Sequence, residues 1–166
     1  MNDKKVVNVF YLKIVSGGQT GVDQGALAAA LKAKVPCGGW CPSGRRSEDG
    51  KIPAIFPVCD LPSSKYADRT LQNVRDTDGT LIIFSGSISG GTELTKEFCD
   101  AELKPYLLID VCKISCTQIT QKLINFIHSF SILTLNVSGP RRSEWPNAYN
   151  CAFRVITNLF GKMNSF

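Results

Sequence analysis

Continuous runs of apolar residues recur along the chain and are separated by more polar segments. The runs are Val6–Val15, Lys34–Cys37, Thr80–Phe84, Tyr106–Ile109 and Ile132–Val137. Within them apolar residues follow one another instead of alternating with polar ones, which is typical of strands buried on both faces of a parallel sheet. The pattern therefore predicts a mostly parallel central sheet.

Between and after these runs, apolar residues recur at helical spacing. The predicted helix faces are Ile119, Leu123, Phe126, Ile127 and Phe130; Trp145, Tyr149, Ala152, Ile156 and Leu159; and Leu94, Phe98 and Ala101. The segment Ala26–Leu31 is rich in small residues and predicts a helix that packs close to the sheet. Strands and helices alternate, so we expect an α/β fold, a doubly wound three-layer sandwich. Right-handed crossovers then place every strand-to-helix turn at the same edge of the sheet.

The length and composition of the chain indicate one domain spanning residues 1–166. Of the 166 residues, 43% are hydrophobic and 20% are charged, which is enough for one core. A net charge of +5 suits an anionic small ligand. The sequence contains no run of five basic residues, so a nucleic-acid-binding arm is not expected. No stretch reaches the roughly 18 apolar residues of a membrane span. We expect a cytoplasmic protein with no nucleic-acid or membrane partner.

The first apolar run is predicted to be a strand and not a cleaved signal peptide. Asn8 and Lys13 interrupt the first apolar run and no cleavage site follows, so a strand is favoured over a signal peptide.

The seven cysteines are an odd number, and a chain of this length needs no disulfides, so reduced thiols are expected. Cys37/Cys41 and Cys112/Cys116 share the spacing Cys-x3-Cys. Both pairs would have to converge to form a zinc site, and small buried hydrophobes are the favoured interpretation.

A glycine-rich turn, Ser16–Gly21, follows the first predicted strand and opens a helix. Glycines let backbone N–H groups approach a phosphate, and the helix N-terminus adds partial positive charge. The pattern is neither GxGxxG nor a Walker A loop, and a tight structural turn is the alternative. The candidate ligand-binding residues of this turn are Gly17, Gly18, Gln19, Thr20 and Gly21.

Two further glycine-bearing turns, Ser85–Thr92 and Asn136–Arg142, also follow apolar strands. Three such turns on one sheet edge form a crevice lined by helix N-termini, where open α/β sheets bind ligands. We expect an anionic ligand, such as a nucleotide or another phosphorylated heterocycle. These two turns supply the candidates Ser85, Gly90, Gly91, Thr92, Ser138, Gly139 and Arg141.

A polar helix face and paired arginines are further candidates. Arg69, Asn73 and Asp76 are spaced to lie on one face, which either holds a ligand or is solvated. The pairs Arg45-Arg46 and Arg141-Arg142 could clamp a phosphate through bidentate hydrogen bonds, or could be exposed to solvent.

The segment Gly38–Ser64 contains many glycines and prolines and breaks the strand-helix alternation. A loop of this length inside a compact domain is usually functional or disordered. Trp40 offers a flat apolar face for a heterocycle. We expect this segment to be mobile in the empty protein and to become ordered over a bound ligand, the alternative being that Trp40 fills the core or a subunit interface.

Five stretches in order resemble the putative molybdenum carrier family across roughly residues 12 to 160. They are SGGQTGVDQGALAAAL, PCGGWCPSGRRSEDG, NVRDTDGTLIIF, GGTELT and LNVSGPR. That family belongs to a Rossmann-like superfamily that also contains lysine-decarboxylase-like phosphoribohydrolases. The resemblance implies a Rossmann-like homo-oligomer, a tetramer, that binds and protects the molybdenum cofactor, a phosphorylated pterin. It also implies molybdenum enzymes or cofactor-biosynthesis proteins as partners.

The alternative on the same fold is a nucleotide-binding protein or an enzyme, a nucleotide 5'-monophosphate hydrolase. The phosphoribohydrolase motif, Pro-Gly-Gly-x-Gly-Thr-x-x-Glu, resembles Gly90–Thr92, but its glutamate position is Thr95 here and its leading proline is absent. Glu93 and Glu97 are offset along the helix, so a general acid/base carboxylate is missing where that chemistry needs it. His128 lies in an amphipathic helix, away from any catalytic constellation. Binding is therefore favoured over catalysis.

Overall fold

A computed structural model describes residues 12–164 of the chain. The strands among these residues are β1 (Lys13–Val15), β2 (Cys37–Gly38), β3 (Trp40–Cys41), β4 (Arg46–Ser47), β5 (Gly50–Lys51), β6 (Cys59–Asp60), β7 (Gly79–Phe84), β8 (Tyr106–Asp110) and β9 (Thr134–Ser138). The α-helices are α1 (Val22–Lys32), α2 (Tyr66–Arg75), α3 (Gly90–Ala101), α4 (Cys116–Ser129) and α5 (Ala148–Met163).

The central sheet has the strand order β2-β1-β9-β7-β8, and every neighbouring pair is parallel. Ile14 pairs with Leu135, and Leu81 pairs with Val137 on one side and Leu107 on the other. The central strands are covered on both faces, which explains why their sequences are continuously apolar. The predicted α/β class and parallel sheet are confirmed.

Most of the predicted first strand, Val6–Val15, lies outside the described residues, and β1 begins at Lys13. The predicted strand Lys34–Cys37 is shifted, because β2 comprises Cys37–Gly38. Lys34 has a φ of 56°, and the N–H of Val35 bonds back to the carbonyl oxygen of Ala30 at 3.0 Å. These residues therefore end helix α1 and are not available for a strand.

The predicted helix faces are buried with some local differences. Phe130 follows the end of α4 and is exposed, Trp145 precedes the start of α5, and Tyr149 on α5 is exposed. On α3 the buried residues are Thr92, Thr95 and Cys99, whereas the predicted Leu94 and Phe98 are only half-buried and Ala101 is exposed. The reason is that the Thr95 hydroxyl faces the end of β9 and lies 3.0 Å from Ser138 Oγ. That hydrogen bond places a polar face against the sheet.

Helices α1 and α5 approach each other closely at Gly25. A Cβ at this position would lie 2.3 Å from the carbonyl oxygen of Tyr149. This close contact precedes the segment Ala26–Leu31 and is made with α5, whereas the sequence predicted close packing of that segment against the sheet. No helix among residues 12–164 has the length and hydropathy needed to cross a membrane.

The segment of residues 38–64 is folded and is not an open loop. Strand β3 pairs with β6, and β4 pairs with β5. A small hydrophobic cluster, made of Leu27, Cys41, Ile52, Phe56 and Val58, fixes the segment against α1. The Arg45 side chain donates to the carbonyl oxygens of Pro53 and Phe56 at 3.1 and 2.9 Å. The segment therefore has its own small core and hydrogen bonds.

Candidate ligand-binding crevice

An open crevice lies at the carboxyl ends of the central strands, between the three glycine-bearing turns and α2. It has two adjoining compartments, which share Thr92 and Glu144 in their linings. The first is lined by Gln19, Tyr66, Ala67, Arg69, Thr70, Gly91, Thr92, Leu94, Ser138, Gly139, Arg141 and Glu144. The second is lined by Ser85, Ser87, Ser89, Thr92, Pro140, Glu144 and Trp145. The tertiary structure thus brings together predicted residues from all three turns and from α2.

Gln19 lines the first compartment, and one end of its side-chain amide has no hydrogen-bond partner. Its Oε1 accepts hydrogen bonds from the backbone N–H groups of Thr20 and Glu48 at 3.0 and 2.9 Å. Because the oxygen is fixed by two donors, the orientation of the amide is fixed as well. The residue is only 6% exposed, and Nε2 has no hydrogen-bond partner.

Arg69 lies across the first glycine-bearing turn. Its Nη1 is 2.8 Å from Asp23 Oδ2, and the two side chains are 14% and 4% exposed. The guanidinium group occupies the space beside Gly17, where a Cβ would lie 1.4 Å from Nη1. The Nε atom of Arg69 is buried and has no partner. Asp23 therefore holds Arg69 against the crevice while one of its donors stays unpaired.

Thr92 lies in the first turn of α3 and lines both compartments. It is 2% exposed, and its Oγ1 has no hydrogen-bond partner. Among residues 12–164, six buried side-chain polar atoms lack a partner, and three of them, Gln19 Nε2, Arg69 Nε and Thr92 Oγ1, belong to residues that line this one crevice. Folded proteins rarely leave buried polar groups unpaired, so this concentration makes the crevice the candidate ligand site.

The N-terminus of α3 faces open space. Ser89 precedes the helix and its side chain makes no capping hydrogen bond. The backbone N–H groups of Gly90 and Gly91 have no partner among the described residues. A Cβ at Gly91 would meet no atom within 4 Å. This helix end combines unpaired donors with partial positive charge, which favours an anion.

Glycines of the other two turns are close-packed instead. A Cβ at Gly18 would lie 3.0 Å from Ile52, one at Gly21 would lie 2.4 Å from the Pro140 carbonyl oxygen, and one at Gly139 would lie 2.2 Å from the Ile83 carbonyl oxygen. Gly18 and Gly21 also have φ values of 76° and 79°, which favour glycine. For these glycines the geometry matches a tight structural turn, and the second turn is the one with glycines that face open space.

Asp110 positions the turn that precedes α3. Its Oδ1 accepts hydrogen bonds from the backbone N–H groups of Gly86 and Cys112 at 3.0 and 3.1 Å. The hydrogen bond from Gly86 is the main cause that lowers the pKa of Asp110 below its ordinary value, against the opposing effect of burial. A carboxylate at the end of β8 therefore fixes the loop that leads into the second compartment.

A sequence model of the circularly permuted YpsA SLOG family matches residues 14–160. The chain belongs to this family. It is also similar to a crystal structure of a protein named "Putative molybdenum carrier protein" from Syntrophus aciditrophicus SB. The two sequences are 40% identical, the match covers 89% of this chain and 93% of that one, and the TM-score is 0.86. No curated protein matches the chain significantly.

Several predicted residues of this family member do not line the crevice. The Asn73 side chain is committed to the backbone of Trp40, and the Trp40 indole N–H donates to Asp76 Oδ2 at 2.7 Å. Arg45 is committed to the carbonyl oxygens of its own segment. The predicted closing movement of residues 38–64 stays a prediction.

Arg46, unlike Arg45, lies beside an aromatic ring that lines the crevice. The Arg46 guanidinium lies 5.6 Å from the centre of the Tyr66 ring, and Arg141 lies 5.9 Å from it. Tyr66 lines the crevice and was missed by sequence reasoning. Its position three residues before Arg69 at the start of α2 was the available signal, since residues at this spacing share a helix face. Tyr66 offers an aromatic surface with two nearby cations.

Two carboxylates were also missed. Glu144 lines both compartments. Glu48 connects the segment of residues 38–64 to the first turn and to Ser143, which directly follows the third turn. Thr20 Oγ1 donates to Glu48, and the Ser143 N–H donates to the same carboxylate at 3.2 Å. The predicted Thr20 is therefore engaged within the protein, where it also accepts a hydrogen bond from the Arg142 N–H at 3.1 Å.

The cysteines do not form a metal centre in the described part of the chain. No group of three or more His, Cys, Asp or Glu residues among residues 12–164 is arranged to hold a metal ion. All seven cysteines are free thiols; Cys41, Cys99 and Cys151 are buried, and Cys59, Cys112 and Cys116 are exposed. The two Cys-x3-Cys pairs therefore do not converge on a four-thiol site.

Proposed function

We propose that this protein binds the molybdenum cofactor in the crevice and protects it as a carrier. The observation that carries the proposal is the concentration of unpaired buried polar atoms from Gln19, Arg69 and Thr92 along one crevice. A polar heterocycle with ring nitrogen and oxygen atoms supplies the partners that these atoms lack. Leaving them unpaired costs free energy, so a ligand that pairs them gains affinity.

The phosphate of the cofactor fits the N-terminus of α3. The unpaired N–H groups of Gly90 and Gly91 and the side chain of Arg141 supply donors and positive charge there. Tyr66 supplies an apolar surface beside the pterin ring. That the cargo contains molybdenum rests on the similarity to a protein named "Putative molybdenum carrier protein". The proposal includes a homotetramer that hands its cargo to molybdenum enzymes or cofactor-biosynthesis proteins.

The proposal is for binding without catalysis. Thr95, at the position of the phosphoribohydrolase glutamate, is 1% exposed and donates to the Gly91 carbonyl oxygen at 2.9 Å. Glu93 and Glu97 are exposed and do not line the crevice. Glu144 does line it, so the alternative of a nucleotide 5'-monophosphate hydrolase has one specific carboxylate to test.

Copurification tests the identity of the cargo. The protein is purified without air from cells that make the molybdenum cofactor and from a strain that cannot. Molybdenum is measured by mass spectrometry, and the pterin is measured by fluorescence after oxidation. We expect both in the first preparation and neither in the second. A preparation from cofactor-producing cells that contains nucleotide and no pterin would contradict the carrier proposal.

A pair of matched variants tests the crevice itself. Thr92→Val removes an unpaired hydroxyl inside the crevice, and Thr157→Val removes an equally unpaired hydroxyl on α5, outside it. We expect Thr92→Val to weaken cofactor binding by about 1–3 kcal/mol without lowering the free energy of unfolding. Thr157→Val should bind like the unaltered protein. Equal affinities in both variants would mean that the ligand does not bind at Thr92.

A further inference from the structure

Glu144 lies at the junction of the two compartments, beside the donors that an anionic ligand needs. Its Oε1 lies 3.5 Å from Arg141 Nε, and its Oε2 accepts a hydrogen bond from the Arg141 N–H at 3.3 Å. On its other side, Oε1 lies 3.8 Å from the position of a Cβ built on Gly90, the first residue of α3. One carboxylate thus lies between an arginine of the third turn and the helix N-terminus of the second turn.

The carboxylate is close to the N-terminus of α3 but does not pair with it. Neither the Gly90 nor the Gly91 N–H donates to Glu144, and the nearby Thr92 hydroxyl, buried and lining both compartments, also stays unpaired. A negative charge near a helix N-terminus is nevertheless stabilised by the helix dipole. Glu144 therefore supplies negative charge at this position without using the hydrogen-bond donors.

The backbone around Glu144 is held while its side chain has room to move. The Ser143 N–H donates to Glu48 at 3.2 Å, and the Glu144 N–H donates to the Arg141 carbonyl oxygen at 3.1 Å. The Glu144 side chain is 43% exposed. A rotation of this side chain away from Arg141 breaks its hydrogen bond with the Arg141 N–H and leaves the other two hydrogen bonds in place.

We infer that Glu144 is an internal anion that competes with the phosphate of an incoming ligand for Arg141 and the N-terminus of α3. This inference rests on the anionic ligand of the proposed function. A ligand phosphate carries more charge than one carboxylate and also pairs with the N–H groups of Gly90 and Gly91, so it displaces Glu144. Monoanions that bind weakly do not displace the Glu144 side chain. Glu144 thereby sets the affinity of the crevice and its selectivity for phosphorylated ligands.

The test compares Glu144→Gln with Glu93→Gln. Glu93 is an exposed carboxylate in the first turn of the same helix and lies outside the crevice, so both changes remove one negative charge near the α3 N-terminus. Binding of inorganic phosphate and of adenosine monophosphate is measured by calorimetry at low ionic strength. We expect Glu144→Gln to tighten phosphate binding by about five- to tenfold, and Glu93→Gln to change it less than about twofold. Chloride should compete better in Glu144→Gln than in the unaltered protein.

The outcomes separate this inference from the proposed function. Equal tightening in both variants would show a general charge effect and overturn the inference. Weaker binding in Glu144→Gln would make Glu144 a direct ligand contact and also overturn it, while the anion site would stand. No binding of either probe to any of the three proteins would overturn the anion site and this inference, while the proposed carrier function is decided by the copurification experiment. Thermal unfolding of each variant establishes that it is folded.

Discussion

The side-chain amide of Asn73 pairs with both backbone polar groups of Trp40. Its Oδ1 accepts from the Trp40 N–H at 2.8 Å, and its Nδ2 donates to the Trp40 carbonyl oxygen at 3.0 Å. Asn73 is buried on α2, and its side-chain amide binds the backbone of β3 as the backbone of a neighbouring strand would. The amide thus fixes the segment of residues 38–64 to α2, and its oxygen and one of its two N–H donors are used within the protein.

We therefore predict that Asn73→Ala lowers stability more than ligand affinity. It leaves the N–H and carbonyl groups of Trp40 unpaired, which should lower the free energy of unfolding by about 1–3 kcal/mol. Urea denaturation measures this change, and phosphate binding is measured in parallel. Asn158→Ala, an exposed change on α5, is the control and should be close to neutral. A large loss of phosphate affinity in Asn73→Ala, with an unchanged free energy of unfolding, would instead show that Asn73 contacts the ligand.

Gly17→Ala should displace Arg69. The new Cβ would fall 1.4 Å from Arg69 Nη1, so the guanidinium group must leave its position beside Asp23. We expect both the free energy of unfolding and the affinity for phosphorylated ligands to decrease, as measured by denaturation and calorimetry. Gly161→Ala on α5 meets no atom within 4 Å and should be neutral or stabilising by about 0.5–1 kcal/mol. Similar behaviour of the two alanine variants would contradict the assigned position of Arg69.

The hydrogen bonds of Glu48 predict a dependence of stability on pH. Burial by itself raises the pKa of Glu48, but hydrogen bonds from Ser143 and Thr20 outweigh it, so the pKa is lowered from 4.5. A carboxyl group with a lowered pKa in the folded state contributes stability above the unfolded-state pKa. That contribution is lost as the pH falls through the lower folded-state pKa.

Glu48→Gln should therefore be less stable than the unaltered protein at pH 7, and the difference should shrink as the pH falls below about 4.5. Chemical denaturation at a series of pH values measures it. Asp49→Asn is a suitable control, because Asp49 is the next residue along the chain, pairs with Arg142 and is more exposed. A stability difference that is independent of pH would show that the Glu48 side chain acts through packing and not through its charge.

The carrier proposal predicts that nucleoside monophosphates are not hydrolysed. Because Thr95 replaces the motif glutamate and forms hydrogen bonds to Gly91 and Ser138, no carboxylate occupies that position. Incubation with each nucleoside monophosphate should release no free base above background, as measured by chromatography. Turnover that disappears in Glu144→Gln, Glu93→Gln or Glu97→Gln would establish an enzyme and overturn the proposal.

The amino-acid sequence by itself determined the α/β class, the parallel sheet and the edge at which the crevice lies. These follow from local information, because continuous apolar runs report strands buried on both faces. Glycine-bearing turns after such strands must also gather on one side once crossovers are right-handed. Gln19, Thr92, Ser138 and Arg141 were predicted in this way, Arg69 was predicted from its spacing on a helix face, and all five line the crevice.

Only the tertiary structure decided which candidate side chains face the crevice and which hold the protein together. Gly18 packs against Ile52, Asn73 pairs with Trp40, and Arg45 binds carbonyl groups of its own segment. Sequence periodicity reports which side of a helix or strand is buried, but not which distant group lies opposite. The roles of Asn73 and Glu48 depend on partners 33 and 95 positions away, Trp40 and Ser143, and such pairings exist only once the chain has folded.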